Sequence, residues 1–419
     1  MNRKKIIVVG GGFAGINFCL EMARQEDYEV TLLDKNNFNF FPPLLYQVAT
    51  GFLEASNISY PFRKLFHHKA NLRFVMGTMV GILPHEKKIE TDVGFMEYDF
   101  LVLANGTVTN YFGMDRLKEQ AVPMKTVQDA LAMRNHILCQ VEQATKTSDP
   151  VRRNSLLTIV VAGAGPTGVE VSGMLAEMNK NIFKKDYPEL QGEGLKIYLV
   201  DALPTVLAPM QEKSREQTHQ YLKDLGVEIL LNHMVKDYTN HTVEFANQKK
   251  IRTDTLIWTS GVTVAPIAGI GKQEVGRGGR LLVTGTNRLL HHPDIFALGD
   301  ICSMQADEAY PNGHPQLAQV AIQQAQLLAK NFKKYNNPAS FQTFRYRDKG
   351  SMAIVGVNKA VADLPKFHFK GFIAYLMWLF VHLFSLIQYR NQMKTFYNWM
   401  IAFFTRDQSL RFILKPRSD

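Results

Sequence analysis

Two ten-residue stretches, residues 6–15 (IIVVGGGFAG) and 159–168 (IVVAGAGPTG), repeat one pattern 153 residues apart. In each, a β-branched apolar run is stopped by a glycine-rich turn. A helix-compatible segment follows, residues 16–24 and 169–179, and then a second β-branched run ending in an acid, residues 29–34 and 196–201. Strand, turn, helix and parallel strand make the βαβ unit. A period this long excludes a solenoid and predicts two nucleotide-binding domains in one chain. The 419 residues leave room for both and a further segment.

The spacing within each turn carries chemistry. In Gly10-x-Gly12-x-x-Gly15 the first glycine permits the tight turn, the second lets a pyrophosphate approach the backbone, and the third lets helix and strand pack closely. The helix N-terminus supplies free N–H groups for the phosphates. Asp34, 19 residues after Gly15 at a strand end, is placed to bind a ribose 2′-hydroxyl. The second copy, Gly163-x-Gly165-x-x-Gly168, has its acid, Asp201, 33 residues on, and residues 179–194 read as a surface insertion that absorbs the difference. No arginine immediately follows Asp201, which favours NADH over NADPH. Two dinucleotide sites predict hydride transfer from nicotinamide to flavin. Asp300, ending the strand-like run 294–300, fits the ribityl hydroxyls of the flavin, or a helix N-cap.

Other chemistries are excluded. The three cysteines, Cys19, Cys139 and Cys302, are far apart, so neither a disulfide framework nor a closely spaced redox pair is available. No metal-ligand spacing occurs, and the pairs His67-His68 and His291-His292 read as solvated loops. The opening apolar run stops after four residues at Gly10, which predicts a buried strand rather than a signal peptide. Residues 124–141 and 317–332 read as helices and 146–154 as a polar linker.

The net charge is +10, and residues 366–419 hold eight Lys/Arg against two acids together with 14 of the 45 aromatic residues. Such a tail suits an anionic membrane surface rather than nucleic acid. Residues 371–387 would make a helix about 25 Å long, shorter than the roughly 30 Å hydrocarbon core. Basic residues on both sides (Lys366 and Lys370 before it, Arg390, Lys394, Arg406, Arg411, Lys415 and Arg417 after it) also oppose a single span. In residues 388–405, Tyr389, Met393, Phe396, Tyr397, Met400 and Phe404 recur at helical spacing and predict one apolar face lying in the interface.

These motifs, with residues 41–51 (FPPLLYQVATG), 98–113 (YDFLVLANGTVTNYFG), 125–138, GAGPTGVE, FALGD and 318–323 (AQVAIQ), make the chain resemble the type II NADH dehydrogenases over almost its whole length. These are single-subunit NADH:quinone oxidoreductases of the two-dinucleotide-binding-domain flavoproteins. Departures are small: Ala325 stands where the family often has Gly, and Asp201 where Glu is frequent.

The resemblance implies an α/β fold with two Rossmann-like dinucleotide-binding domains plus a C-terminal membrane-associating helical region. The expected division is an FAD-binding domain of residues 1–115 and 286–345, an NADH-binding domain of residues 116–285, and a membrane-anchoring region of residues 346–419. It implies non-covalent FAD held by Gly10, Gly11, Gly12, Phe13, Ala14, Gly15, Asp34, Lys35, Gly106, Gly299, Asp300 and Gln319. NADH would be held by Gly163, Gly165, Gly168, Glu170, Asp201 and Gly261, with Glu170 catalytic. A membrane quinone, menaquinone or ubiquinone, would meet Gln47, Thr50, Gln319 and Gln323. The expected activity is that of a non-proton-pumping respiratory enzyme, peripheral on the cytoplasmic face of the membrane, with a homodimer left open. A sulfide:quinone-type or other NAD(P)H:acceptor flavoprotein, or a membrane-docked NADH sensor, are the competing readings.

Overall fold

The computed structural model describes residues 3–190, 192–334, 337–405 and 410–413. The chain forms two compact units, each assembled from three separate segments: Met1–Phe40, Tyr60–Val108 and Val262–Asp348 in the first, Phe41–Ser59, Thr109–Gly261 and Lys349–Asp419 in the second.

The first unit is built on a five-stranded parallel sheet in the order Ile295–Ala297, Phe100–Leu103, Lys4–Val9, Tyr28–Asp34, Leu72–Met76. The central strand reads as an unbroken apolar run because both of its faces are covered. Ile6 through Val9 are buried, and Ile7 and Val9 join Leu33, Leu101, Leu103 and Ala297 in one core. Helix Phe13–Glu21 packs on helix Ala318–Lys334, where Phe18 meets Phe332 edge to face at 5.9 Å.

The second unit repeats the plan. Its parallel sheet runs Val122–Pro123, Thr255–Trp258, Thr158–Ala162, Lys196–Val200, Glu228–Leu230. The duplication reaches further than the glycine motifs: each unit inserts a three-stranded antiparallel ribbon before the return strand, Met79–Leu83, Lys88–Thr91 and Gly94–Glu97 in one, Val235–Thr239, Thr242–Phe245 and Lys250–Arg252 in the other. The second unit adds a further antiparallel sheet, Ser351–Gly356, Lys359–Asp363 and His368–Lys370. Its first strand lies on helix Pro166–Met178 at Gly173, where a Cβ would fall 1.8 Å from the Val355 carbonyl oxygen.

The observed units divide the chain differently from the expected domains. Residues 41–59 belong to the second unit because helix Leu45–Ala49 packs on helices Val127–Thr145 and Pro166–Met178. Residues 262–285 belong to the first, where Leu281–Val283 pairs with Cys302–Met304. The polar stretch 146–154 is only partly a linker: Asp149 accepts the Val151 N–H and Pro150 opens helix Pro150–Leu157. Residues 179–194 are only partly a surface insertion, since the helix continues through a widened turn, Asn179–Phe183, that buries Ile182 and Phe183.

The chain ends in helices Gly371–Ser385 and Tyr389–Thr405. The first buries Ala374, Tyr375 and Trp378 and exposes Phe372, Ile373, Leu376, Phe380 and Phe384. The second turns polar residues inward: Asn391 and Thr395 are buried, and the Asn391 amide donates to the Ser59 carbonyl at 3.0 Å. Tyr389, Met393, Phe396, Tyr397, Met400 and Phe404 all face out. Among the described residues no helix is long and apolar enough to cross a membrane. Arg406, Lys415 and Arg417 lie outside the described residues.

Candidate dinucleotide and quinone sites

The two glycine turns have one geometry. Gly10 and Gly163 have φ of +98° and +110°, a region L side chains rarely enter. A Cβ on Gly15 would lie 1.9 Å from the Gly10 carbonyl oxygen, and one on Gly168 1.7 Å from that of Gly163. Gly12 and Gly165, each the residue before its helix, would instead present a Cβ to open space. That opening at a helix N-terminus, beside Phe13 and Ala14 in the first unit, fits a pyrophosphate.

The acids close the turns in the same way. Asp34 accepts the Gly11 N–H at 2.6 Å through one oxygen and the Asn36 N–H at 2.7 Å through the other. Asp201 accepts from Ala164 at 2.6 Å and Leu203 at 2.8 Å. Each carboxylate oxygen retains a second lone pair for a ribose hydroxyl. Burial raises the Asp34 pKa, against the lowering effect of its two backbone donors.

Elsewhere in the first unit, Gly299 (φ +70°) donates its N–H to Gln324 Oε1 at 2.8 Å, and Asp300 receives the Thr107 hydroxyl at 3.5 Å. Gly106 is a second left-handed glycine, φ +68°, and Lys35 is exposed. Gln324 was not singled out by the sequence. It is fully buried, also accepts from the Cys302 thiol at 3.4 Å, and has an Nε2 with no partner among the described residues. Its neighbour in the AQVAIQ motif is the only signal that could have found it. Burial pushes the Cys302 thiol up to about 11 and the Cys19 thiol further, so neither is a thiolate at neutral pH.

Gln319 and Gln323 share helix Ala318–Lys334 and both are half-buried. The Gln323 amide is held at both ends by one residue, donating to the Arg347 carbonyl at 2.9 Å and accepting the Arg347 N–H at 3.1 Å.

The second unit gathers Glu170, Tyr46, Gln47 and Thr50. Glu170 sits near the start of helix Pro166–Met178, and burial raises its pKa well above the ordinary carboxyl value, although the Ile354 N–H donates to it. Burial, followed by the Glu170 charge, also raises Tyr46 well above the usual phenol range. The Tyr46 hydroxyl accepts from Gln47 Nε2 at 2.9 Å, and Gln47 Oε1 accepts the Trp399 indole N–H at 2.7 Å. The Thr50 hydroxyl donates to the Tyr46 carbonyl at 2.7 Å. Gln47 and Thr50 are therefore buried and bonded within the protein, and Tyr46, which the sequence reading left unassigned, is bonded to both and close enough to Glu170 to feel its charge. Gly261 is left-handed (φ +78°), and a Cβ there would come within 2.9 Å of the Phe112 ring. No group of three or more potential metal ligands occurs among the described residues.

Duplicated parallel sheets with matching pyrophosphate cradles define the class, and residues 4–325 match the family described as pyridine nucleotide-disulphide oxidoreductase. Residues 349–407 match the NDH2 C-terminal domain. A type II NADH:quinone oxidoreductase of Mycobacterium tuberculosis is 34% identical over 416 residues, covering 96% of this chain and 88% of the relative. One from Staphylococcus epidermidis is 30% identical over 368 residues, covering 86% and 89%. The chain belongs to the type II NADH:quinone oxidoreductase family. The solved structure of NDH2 from Plasmodium falciparum in complex with NADH shares the fold, with a TM-score of 0.90 at 22% identity over 99% of this chain and 100% of that one. The sulfide:quinone oxidoreductase of Aquifex aeolicus is more distant in fold, with a TM-score of 0.72 at 18% identity over 96% of each chain.

Proposed function

We propose that this chain is a non-proton-pumping, FAD-dependent NADH:quinone oxidoreductase that works at the cytoplasmic surface of a membrane. The observation that carries the reading is the duplicated cradle, with Glu170 on the helix of the second copy where the first copy has Asn17. FAD, when bound, supplies two-electron exchange between nicotinamide and quinone. Gly10, Gly11, Gly12, Phe13, Ala14, Gly15, Asp34, Lys35, Gly106, Gly299, Asp300 and Gln319 would hold it without a covalent bond. Gly163, Gly165, Gly168, Asp201 and Gly261 would hold NADH, with Asp201 accepting ribose hydroxyls and disfavouring a 2′-phosphate.

Glu170 has the properties of a proton-holding group. Its burial keeps the carboxyl protonated to higher pH than is usual for a glutamate, so it can donate a hydrogen bond or a proton to nicotinamide amide or quinone oxygen. Quinone contact by Gln47 and Thr50 would be indirect while their polar atoms stay bonded to Tyr46 and Trp399. Contact by Gln323 requires its amide to leave Arg347. The outward apolar faces of the two terminal helices would bring the body to the bilayer, where menaquinone or ubiquinone resides.

The deciding experiment is steady-state oxidation of NADH and NADPH by the purified protein in lipid, with a menaquinone and a ubiquinone analogue as acceptors. NADH-dependent quinone reduction with weak use of NADPH is expected. Turnover with neither quinone would overturn the reading.

A further inference from the structure

Beside the terminal helix, the second unit contains a cavity of about 190 Å³ that the dinucleotide chemistry does not use. It is smaller than the roughly 300–1,000 Å³ of a drug-sized ligand site, and suits a headgroup rather than a dinucleotide. Phe52 and Val357 supply apolar wall, and Lys180, Asn181 and Lys359 supply donors.

Two local devices bring the lysines together. The widened turn Asn179–Phe183 carries Lys180 and Asn181, and such turns inside helices are frequent at functional sites. The tight hairpin between Ser351–Gly356 and Lys359–Asp363, turned at Asn358 with φ of +62°, carries Lys359. Glu177 is the one acid among the described lining residues, and its Oε1 accepts the hairpin's Val357 N–H at 2.7 Å. Neither Lys180 nor Lys359 has an ion pair among the described residues. Counted by residue, two lysines and one glutamate in the lining leave a formal excess of one positive charge, which matches the single charge of a phosphodiester.

Ala402 of helix Tyr389–Thr405 borders the cavity, and its neighbours Ile401 and Phe403 are exposed. A ligand with an anionic head in the cavity could therefore lay alkyl chains along the outward stripe. We propose that this cavity binds the phosphodiester headgroup of an anionic phospholipid whose acyl chains lie along helix Tyr389–Thr405. The inference rests on the membrane-docking reading and assigns it a specific lipid class. The stripe selects the lipid over free phosphate, because phosphate alone leaves the adjacent apolar surface uncovered.

The test uses full-length, flavin-loaded protein and dihexanoyl phosphatidylglycerol below its micelle concentration, followed by titration calorimetry. Saturable one-to-one binding is expected, with dihexanoyl phosphatidylcholine and inorganic phosphate each binding far more weakly. The double variant Lys180→Gln/Lys359→Gln should weaken phosphatidylglycerol binding about 30-fold, roughly fivefold for each ammonium near a lipid phosphate. The Lys180→Arg/Lys359→Arg variant should restore it. Equal binding by the wild type and the double Gln variant would overturn the site, and equal binding of inorganic phosphate would overturn its assignment to lipid. Sedimentation with neutral phosphatidylcholine vesicles tests the docking reading separately. Failure there would remove the membrane role, while the short-chain titration would still judge the cavity.

Discussion

Residues 17 and 170 occupy equivalent positions in the two repeats, yet they are an asparagine and a glutamate. Asn17 donates its amide to the Phe13 carbonyl at 2.8 Å, a bond kept within its own helix. Glu170 is a buried acid whose pKa is raised, met by the Ile354 N–H from a strand of the added sheet. Around them, the backbone bonds agree closely: Gly10 N–H to Leu33 and Gly163 N–H to Val200, both at 2.8 Å, and Ala104 to Val9 and Thr259 to Ala162, again at 2.8 Å. The backbone that builds the turn is alike in both repeats, and the side chain proposed to take part in the reaction differs. A second contrast lies three residues on, where Leu20 in the first helix corresponds to Gly173 in the second, the point at which the added sheet comes close.

The largest effect should come from breaking what the repeats share. Gly15→Ala or Gly168→Ala forces a Cβ into a carbonyl oxygen and should cost about 4 kcal/mol or more, read as loss of soluble, cooperatively melting protein. Gly12→Val and Gly165→Val place the new side chain in open space. Both proteins should fold, the first colourless and the second yellow but unable to be reduced by NADH. If Gly12→Val retains stoichiometric FAD, the first cradle has been assigned to the wrong ligand.

The Asn17/Glu170 contrast can be sharpened directly. Glu170→Gln should lower quinone turnover by about 10²-fold, the lower range for loss of a general acid, whereas Asn17→Ala should cost only about 1 kcal/mol of stability and leave the pH–rate profile in place. Stability gives an independent readout. The folded chain retains a proton on Glu170 that the unfolded chain releases near about pH 4. Its favourable contribution is therefore complete in acid and is lost as pH rises through the raised value. Glu170→Gln removes that loss, so the Tm difference between variant and wild type should grow as pH rises above about 5 and level off beyond the raised value. A constant difference would mean that Glu170 titrates normally. The smallest effect concerns a contact that only the second unit has: Trp399→Phe removes the N–H to Gln47 and should cost about 1 kcal/mol, seen as a small Tm decrease.

How much of this was legible in the sequence depends on how local the cause is. The glycine turns could be read because steric conflict within a few residues dictates glycine there. The outward stripe of helix Tyr389–Thr405 could be read because its period lies in the chain itself. The partners of Gln47 and Gln323 could not, since Trp399 and the Arg347 backbone are brought to them by tertiary packing. Nor could the transfer of residues 41–59 to the second unit, where a five-residue helix is fixed by two long ones. Gln324 escaped notice because nothing in its neighbourhood shows that residue 299 will need an acceptor.

The interleaving of segments has a consequence for synthesis. Strand Phe100–Leu103 emerges from the ribosome early but receives its outer neighbour, Ile295–Ala297, only after the second glycine repeat has been made. Until then one side of an apolar parallel strand is an open edge, a template for mispairing with another nascent chain. The second unit likewise waits for Ser351–Gly356 to cover Gly173. The first half of the polypeptide therefore cannot reach its final state by itself, and truncated products of translation should be substrates for chaperones and proteases rather than stable domains.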